Sequence, residues 1–158
     1  MNAEVINKFL SATTTVLGDY FSITIAPAGA AQAIPASSRL DPVSVLLEMT
    51  GDLAGQFVFG CQSAVALDIA RAMMMNPEYP DFDDMCRSAL AELGNMIAGM
   101  TATGLSVLGF FVDLVPPLVV TGENVSIHFS VPLIISVPLN TSVGKVRVCI
   151  ALKSSAGV

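Results

Sequence analysis

Residues 82–105 read FDDMCRSALAELGNMIAGMTATGL, a run whose length and spacing predict one long helix. Asp81, Asp83 and Asp84 stand at its start, where carboxylates complement the positive end of a helix. At about 100° per residue, Ser88, Glu92 and Asn95 project within roughly 60° of one another and form a polar stripe. Met85, Ala89, Leu93, Met96 and Met100 form an apolar stripe roughly 100° away. The polar stripe is therefore expected to face outward or sideways, within reach of a partner. Gly94, Gly99 and Gly104 lie in the same helix, each costing about 1 kcal/mol relative to Ala. Glycines kept at that cost predict close packing against the helix.

Outward from this helix the chain divides into short pieces. Val5, Phe9, Leu10 and Leu17 recur near helical spacing and predict a helix over 3–18, which Gly18 can end. Alternation over Phe21–Ala26 predicts a strand, and the Ala, Gly, Pro and Ser of residues 27–42 predict a loop. Val43–Met49 and Leu53–Cys61 read as a hairpin around Thr50-Gly51-Asp52. Ser63 is placed to cap a short helix through Met75, stopped by Asn76-Pro77. Phe110–Val120 is extended around Pro116-Pro117, Val125–Phe129 adds a short strand, and Pro132–Leu139 with Lys145–Leu152 makes a final hairpin. Phe57 and Phe59 after the first turn echo Val146 and Val148 after the last, which suits a pseudo-symmetric domain. The expected class is α+β: a mostly antiparallel sheet of about six strands packed against about three helices, one domain over 1–158.

Composition narrows the function classes. The chain is 158 residues long, 53% hydrophobic and 13% charged, with a mean hydropathy of +0.71. A bilayer span needs about 20 apolar residues in a row. Asp113, Pro116 and Pro117 interrupt one apolar tract, and Pro132 and Pro138 the other. No membrane segment is expected, and the excess of apolar residues points to a subunit interface. The start, Met1-Asn2-Ala3-Glu4, has no signal-peptide pattern, so a cytoplasmic location is expected. Seven Lys and Arg against a net charge of -6 argue against nucleic acid. Cys61, Cys86 and Cys149 make no C-x-x-C pair and read as small buried residues.

Three polar residues on a helix are by themselves only a solvated face. Their neighbours carry more. Ser88-x-x-x-Glu92-x-x-Asn95-x-Ile97-x-Gly99, followed by Pro117-x-Val119-Val120-x-Gly122, resembles the signature of the CheC and CheX phosphatase family. The order of helices and hairpins resembles that family's CheC-like fold over nearly the whole chain. The resemblance implies a protein phosphatase that hydrolyses the aspartyl phosphate of a CheY-like response regulator. It implies that Asn95 orients the attacking water, that Glu92 engages the receiver's active-site lysine, and that Ser88 and Pro117 are supporting positions. Pro116 is the alternative to Pro117. It also implies a homodimer, no cofactor bound by this chain, and Mg²⁺ supplied by the partner receiver. CheC-type chains carry the Glu and Asn pair twice. Here Glu4 and Asn7 have the minimal spacing, but Phe9 and Ser11 replace the Ile and Gly that should follow, so one site per chain is expected.

The chemistry is within reach of so few residues. Phosphoryl transfer passes through a loose transition state, and positioning with electrostatics supplies most of the acceleration. A carboxamide carries a donor and an acceptor, enough to hold one water. The competing reading is a non-catalytic adaptor of the same fold, which has no need of an intact Glu92/Asn95 pair; a structural motor-switch component fits the fold but not the motif. His128 is the single histidine and reads as structural or surface. Asp81 and Asp83 read as helix capping, and Met73-Met74-Met75 as packing. No cysteine has an Arg six residues later, and no nucleotide-binding glycine loop occurs.

Overall fold

A computed structural model describes residues 2–155 of the chain. Asp83 caps the long helix α3, Asp84–Val107, its carboxylate accepting from the backbone N–H groups of Met85 and Cys86. The Tyr79 hydroxyl donates to the other carboxylate oxygen at 2.5 Å. That bond first, and then the backbone donors, hold Asp83 below the usual carboxylate range, while the same bond pushes the Tyr79 hydroxyl up to about 12. Helix α1 spans Ala3–Thr15 and α2 Ser63–Met74.

The strands are β1 (Ile25–Pro27), β2 (Gln32–Ile34), β3 (Ser37–Arg39), β4 (Val43–Gly51) and β5 (Leu53–Cys61) before α2. After α3 come β6 (Val112–Leu114), β7 (Leu118–Thr121), β8 (Ser126–His128), β9 (Ile134–Thr141) and β10 (Gly144–Ser154). All the pairings are antiparallel. The hairpins β4–β5 and β9–β10 join through β5 against β10, running Val146↔Cys61 to Ser154↔Leu53. The outer edges are exchanged: β1 and β2 pair with β9, whereas β6 and β7 pair with β4. β3 pairs with β8 in a separate small ladder.

This order is a helix followed by five strands, written twice with α2 between the copies. The offset that carries Glu4 onto Glu92 also carries Val5, Phe9, Thr13 and Leu17 onto Leu93, Ile97, Thr101 and Leu105, and all eight are buried. The pseudo-symmetry foreseen from the hairpins thus extends to the helices and the edge strands.

Alternation along the strands builds two cores. Val43, Val45, Leu47 and Met49 of β4, with Val146, Val148 and Ile150 of β10, face the helices and pack with Phe9, Leu93 and Ile97. Phe9 and Phe57 stack at 5.2 Å. Val58, Cys149 and Ala151 face the other way, into a second cluster closed by Phe129, Val131 and Ile134 beside the β3–β8 ladder. Among the described residues no helix is long and apolar enough to cross a membrane.

Several local expectations are corrected. Among the described residues there are ten strands, not about six, because short edge strands of three or four residues lie within stretches read as loop or as one extended run. Phe21–Ala26 is strand only from Ile25. Before it, Val16–Tyr20 continues α1 as a π-helical turn that contains Gly18, and Ser22 sits at positive φ. Residues 27–42 hold β2 and β3, since polar or small residues can fill a ladder when a partner strand lies alongside. Ser63 begins α2 without capping it; Gln62 is the cap residue and makes no side-chain bond, and left-handed Met75 closes the other end.

Candidate functional site

Helix α3 lies against the sheet through Cys86, Leu90, Leu93, Gly94, Ile97, Ala98, Thr101 and Leu105. The buried stripe is therefore rotated from the expected one. Met85 is 60% exposed, and Met96 and Met100 are only half-buried at the flank. Helical spacing alone gave methionine equal weight with Leu and Ile, but the narrow seam over β4 is filled by smaller or branched residues.

The rotation leaves Ser88, Glu92 and Asn95 exposed along one line of the helix, on the side away from the core. Ser88 and Asn95 form no side-chain hydrogen bond among the described residues. The two ion pairs there, Arg71 with Asp68 and Arg147 with Asp41, do not involve Glu92. The carboxylate and the carboxamide, one turn apart, are thus both free to meet an incoming group.

Pro117 comes to the same helix from the sheet side. A Cβ added at Gly94 would stand 3.0 Å from Pro117 Cβ, 2.8 Å from Val45 Cγ1 and 3.4 Å from Leu47 Cδ2. Gly94 lets the proline and the floor of β4 close against the helix beside Asn95. Pro116 is exposed, so Pro117 is the one that packs there. Gly104 is similarly close to Lys8 Cδ, at 3.0 Å. Gly99 does not follow the expectation of close packing: among the described residues nothing beyond its own helical turn lies within 4 Å of its Cβ position.

Sequence reading passed over Arg87. Its guanidinium donates to the Thr121 hydroxyl and, at 3.4 Å, to the Val119 carbonyl, tying the first turn of α3 to β7. With Gly94 and Pro117 it fixes the helix against the β7 edge at two points. The available signal was an arginine directly before Ser88, with a threonine in the strand to follow. His128, in β8, is exposed and hydrogen-bonds through Nδ1 with the Ser37 hydroxyl at 2.8 Å, a surface role as expected.

Grooves flank the pair. One of about 410 Å³ at the start of α3 is lined by residues including Asp83, Arg87 and Thr121, and one of about 450 Å³ near its end by residues including Thr103, Ser106 and Phe110. Neither contains Glu92 or Asn95, which stand on the convex helix between them. That convex, exposed setting suits a macromolecule bringing its own reacting group, which does not need enclosure, better than a small free substrate. Among the described residues no group of three or more His, Cys, Asp or Glu side chains is placed to hold a metal ion.

The family model described as chemotaxis phosphatase CheX matches residues 43–140, a span that includes α3 and Pro117. The CheY-P phosphatase CheX of Thermotoga maritima is 30% identical over 140 residues, 89% of each chain. The chemotaxis protein CheX from Desulfovibrio desulfuricans has a TM-score of 0.84 at 26% identity, covering 95% of this chain and 99% of its own. The CheX of a CheX–CheY–BeF3–Mg complex from Borrelia burgdorferi has a TM-score of 0.79 at 28% identity, covering 95% and 98%. Family model, curated relative and solved structures agree, and the chain belongs to the CheX chemotaxis phosphatase family.

Proposed function

We propose that this chain is a hydrolase that removes the phosphoryl group from the active-site aspartate of a CheY-like receiver, with Asn95 and Glu92 as its working pair. The observation that carries the reading is the exposure of these two side chains, one turn apart and without a partner among the described residues, on the helix that Gly94 and Pro117 hold against the sheet. Support comes also from the Thermotoga maritima relative, named a CheY-P phosphatase, and from the Borrelia burgdorferi relative, solved with CheY.

In this reading the Asn95 carbonyl oxygen accepts from a water and its amide N–H₂ holds neighbouring acceptors, aiming the water's lone pair at phosphorus in line with the P–O bond to the receiver aspartate. The water oxygen bonds to phosphorus as that P–O bond breaks. The aspartate leaves as carboxylate, and the water proton passes to the departing phosphate. Glu92 accepts from the receiver's active-site lysine, which sets the docking angle. Mg²⁺ and lysine come with the receiver, so this chain supplies position rather than a strong base. Ser88 and Pro117 support the pair, Ser88 from the same exposed line and Pro117 by bracing the helix. The location expected for such a reaction is the cytoplasm.

The test is phosphate release from a Mg²⁺-loaded, phosphorylated CheY-like receiver, with wild type, Asn95→Ala and Asn7→Ala compared. Asn95→Ala is expected to lose at least a hundredfold in rate. Asn7→Ala, at the equivalent place on α1, is expected to keep the wild-type rate, because Ile6 stands where Gly94 stands on α3 and no proline can close against that helix in the same way. An Asn95→Ala protein that dephosphorylates normally would sink this assignment. Binding of the receiver without any acceleration by the wild type would favour the adaptor reading.

A further inference from the structure

Of the three glycines within α3, two are explained by neighbours in the fold: Gly94 by Val45 and Pro117, Gly104 by Lys8. Gly99 is not. It is exposed, it lies inside a regular helix where any L-residue is sterically allowed, and among the described residues nothing beyond its own helical turn comes within 4 Å of where its Cβ would be. A helix-interior glycine destabilises relative to alanine, and no close approach among the described residues returns that loss.

Its position supplies the reason. Gly99 is four residues after Asn95, so it lies on the same face, roughly 40° round and about 6 Å along the axis. It also floors a groove of about 330 Å³ lined by Val16, Tyr20, Met96, Gly99, Met100 and Thr103. Tyr20 stands at the end of the π-helical turn that follows α1 and is 62% exposed. π-helical turns inside helices are enriched at functional sites, and an exposed tyrosine beside apolar methionines is suited to a protein contact. A folded domain covers about 800 Å² of its partner in an interface of ordinary size. With its phosphoaspartate over Asn95, a receiver covers Gly99 as well.

Building on the proposed function, we infer that Gly99 is a positioning and specificity-determining residue: its missing side chain leaves the space through which the receiver's surface reaches the groove beside Tyr20 and brings the phosphoryl group down to Asn95. The occupant is the receiver domain itself. A side chain at residue 99 holds it off the helix.

The experiment measures binding and turnover separately, with thermal unfolding. The probes are a Mg²⁺-loaded, beryllofluoride-activated CheY-like receiver for affinity and the same receiver phosphorylated for hydrolysis. Gly99→Ala is expected to raise Tm by about 2–4 °C, as helix propensity predicts, while weakening receiver binding severalfold. Gly99→Leu is expected to fold and to weaken binding at least tenfold. Gains in stability alongside losses in binding are a pattern that a purely structural glycine does not give. Gly99→Leu binding the activated receiver within a factor of three of wild type overturns the inference. Asn95→Ala, run in parallel, separates the two claims, since it is expected to bind normally and fail only in hydrolysis. If it hydrolyses normally, the Asn95 assignment falls while the binding arm still decides Gly99. Absence of receiver binding by the wild type overturns both.

Discussion

Gly94 of α3 and Pro117 are packed so closely that a single methyl group at residue 94 would sit 3.0 Å from the proline Cβ and 2.8 Å from Val45 behind it. Neither neighbour is the far end of a long flexible side chain. Val45 is fixed in β4, and Pro117 precedes β7 by one residue. Helix propensity favours alanine at residue 94 by about 1 kcal/mol, but overpacking costs typically 1–3 kcal/mol and moves backbone. Gly94→Ala is therefore expected to lower stability, the opposite sign from Gly99→Ala, and to reduce phosphate release by shifting Asn95 relative to Pro117. Urea unfolding monitored by circular dichroism reads the first effect. A midpoint at or above wild type would show that the contact yields without cost.

Much of this arrangement was legible in the residues, and the gaps have physical causes. The long helix declared itself through length, its acidic start and its periodicity, and Asp83 caps it as carboxylates at that position do. The two long hairpins followed from alternation and turn residues. Small strands such as Gln32–Ile34 and Ser37–Arg39 did not, because they exist only through partners about ninety to a hundred residues away. The face of α3 was half legible. The polar line Ser88, Glu92, Asn95 was placed outward correctly, yet the buried line was misassigned to methionines, since periodicity fixes a spacing but not which of two adjacent apolar lines meets the sheet. Pro117, which the motif spacing favoured over Pro116, is the proline beside Gly94, but the closeness of that contact is not something spacing shows.

The apolar composition bears on assembly. Phe111 is 71% exposed, Leu118 60% and Val115 43%, all within the stretch that runs from the end of α3 into the start of β7. Exposed large apolar residues this close in sequence, on a chain of mean hydropathy +0.71, are suited to a subunit contact, and we propose that they take part in the homodimer that the family resemblance implies. Sedimentation equilibrium is expected to return twice the 16.4 kDa chain mass, and Phe111→Glu with Leu118→Glu to shift it toward the monomer. A wild type that stays monomeric at high micromolar concentration would remove the dimer from the reading.

Alkaline pH offers a separate check on the core. Cys61, at the end of β5, is 3% exposed, and its thiol is pushed up to about 12, first by burial and then by the nearby Asp41 carboxylate. In the unfolded chain the same thiol titrates near its ordinary value of about 8.5. Between these two values the unfolded state loses its proton while the folded state keeps it, so stability is full below the lower value and falls as pH rises toward the upper one. Cys149 is shifted in the same direction, also chiefly by burial, and adds to the slope. Unfolding free energy from urea titrations is thus expected to decline steadily between about pH 8.5 and 11. The decline should be shallower in Cys61→Ala, which removes one titrating thiol at the cost of a small cavity. Thiol reagents at pH 8 should label neither Cys61 nor Cys149 until urea opens the sheet. Rapid labelling of either thiol in native protein, with stability flat through pH 10, would mean that β5 and β10 open to solvent far more often than their long shared ladder allows.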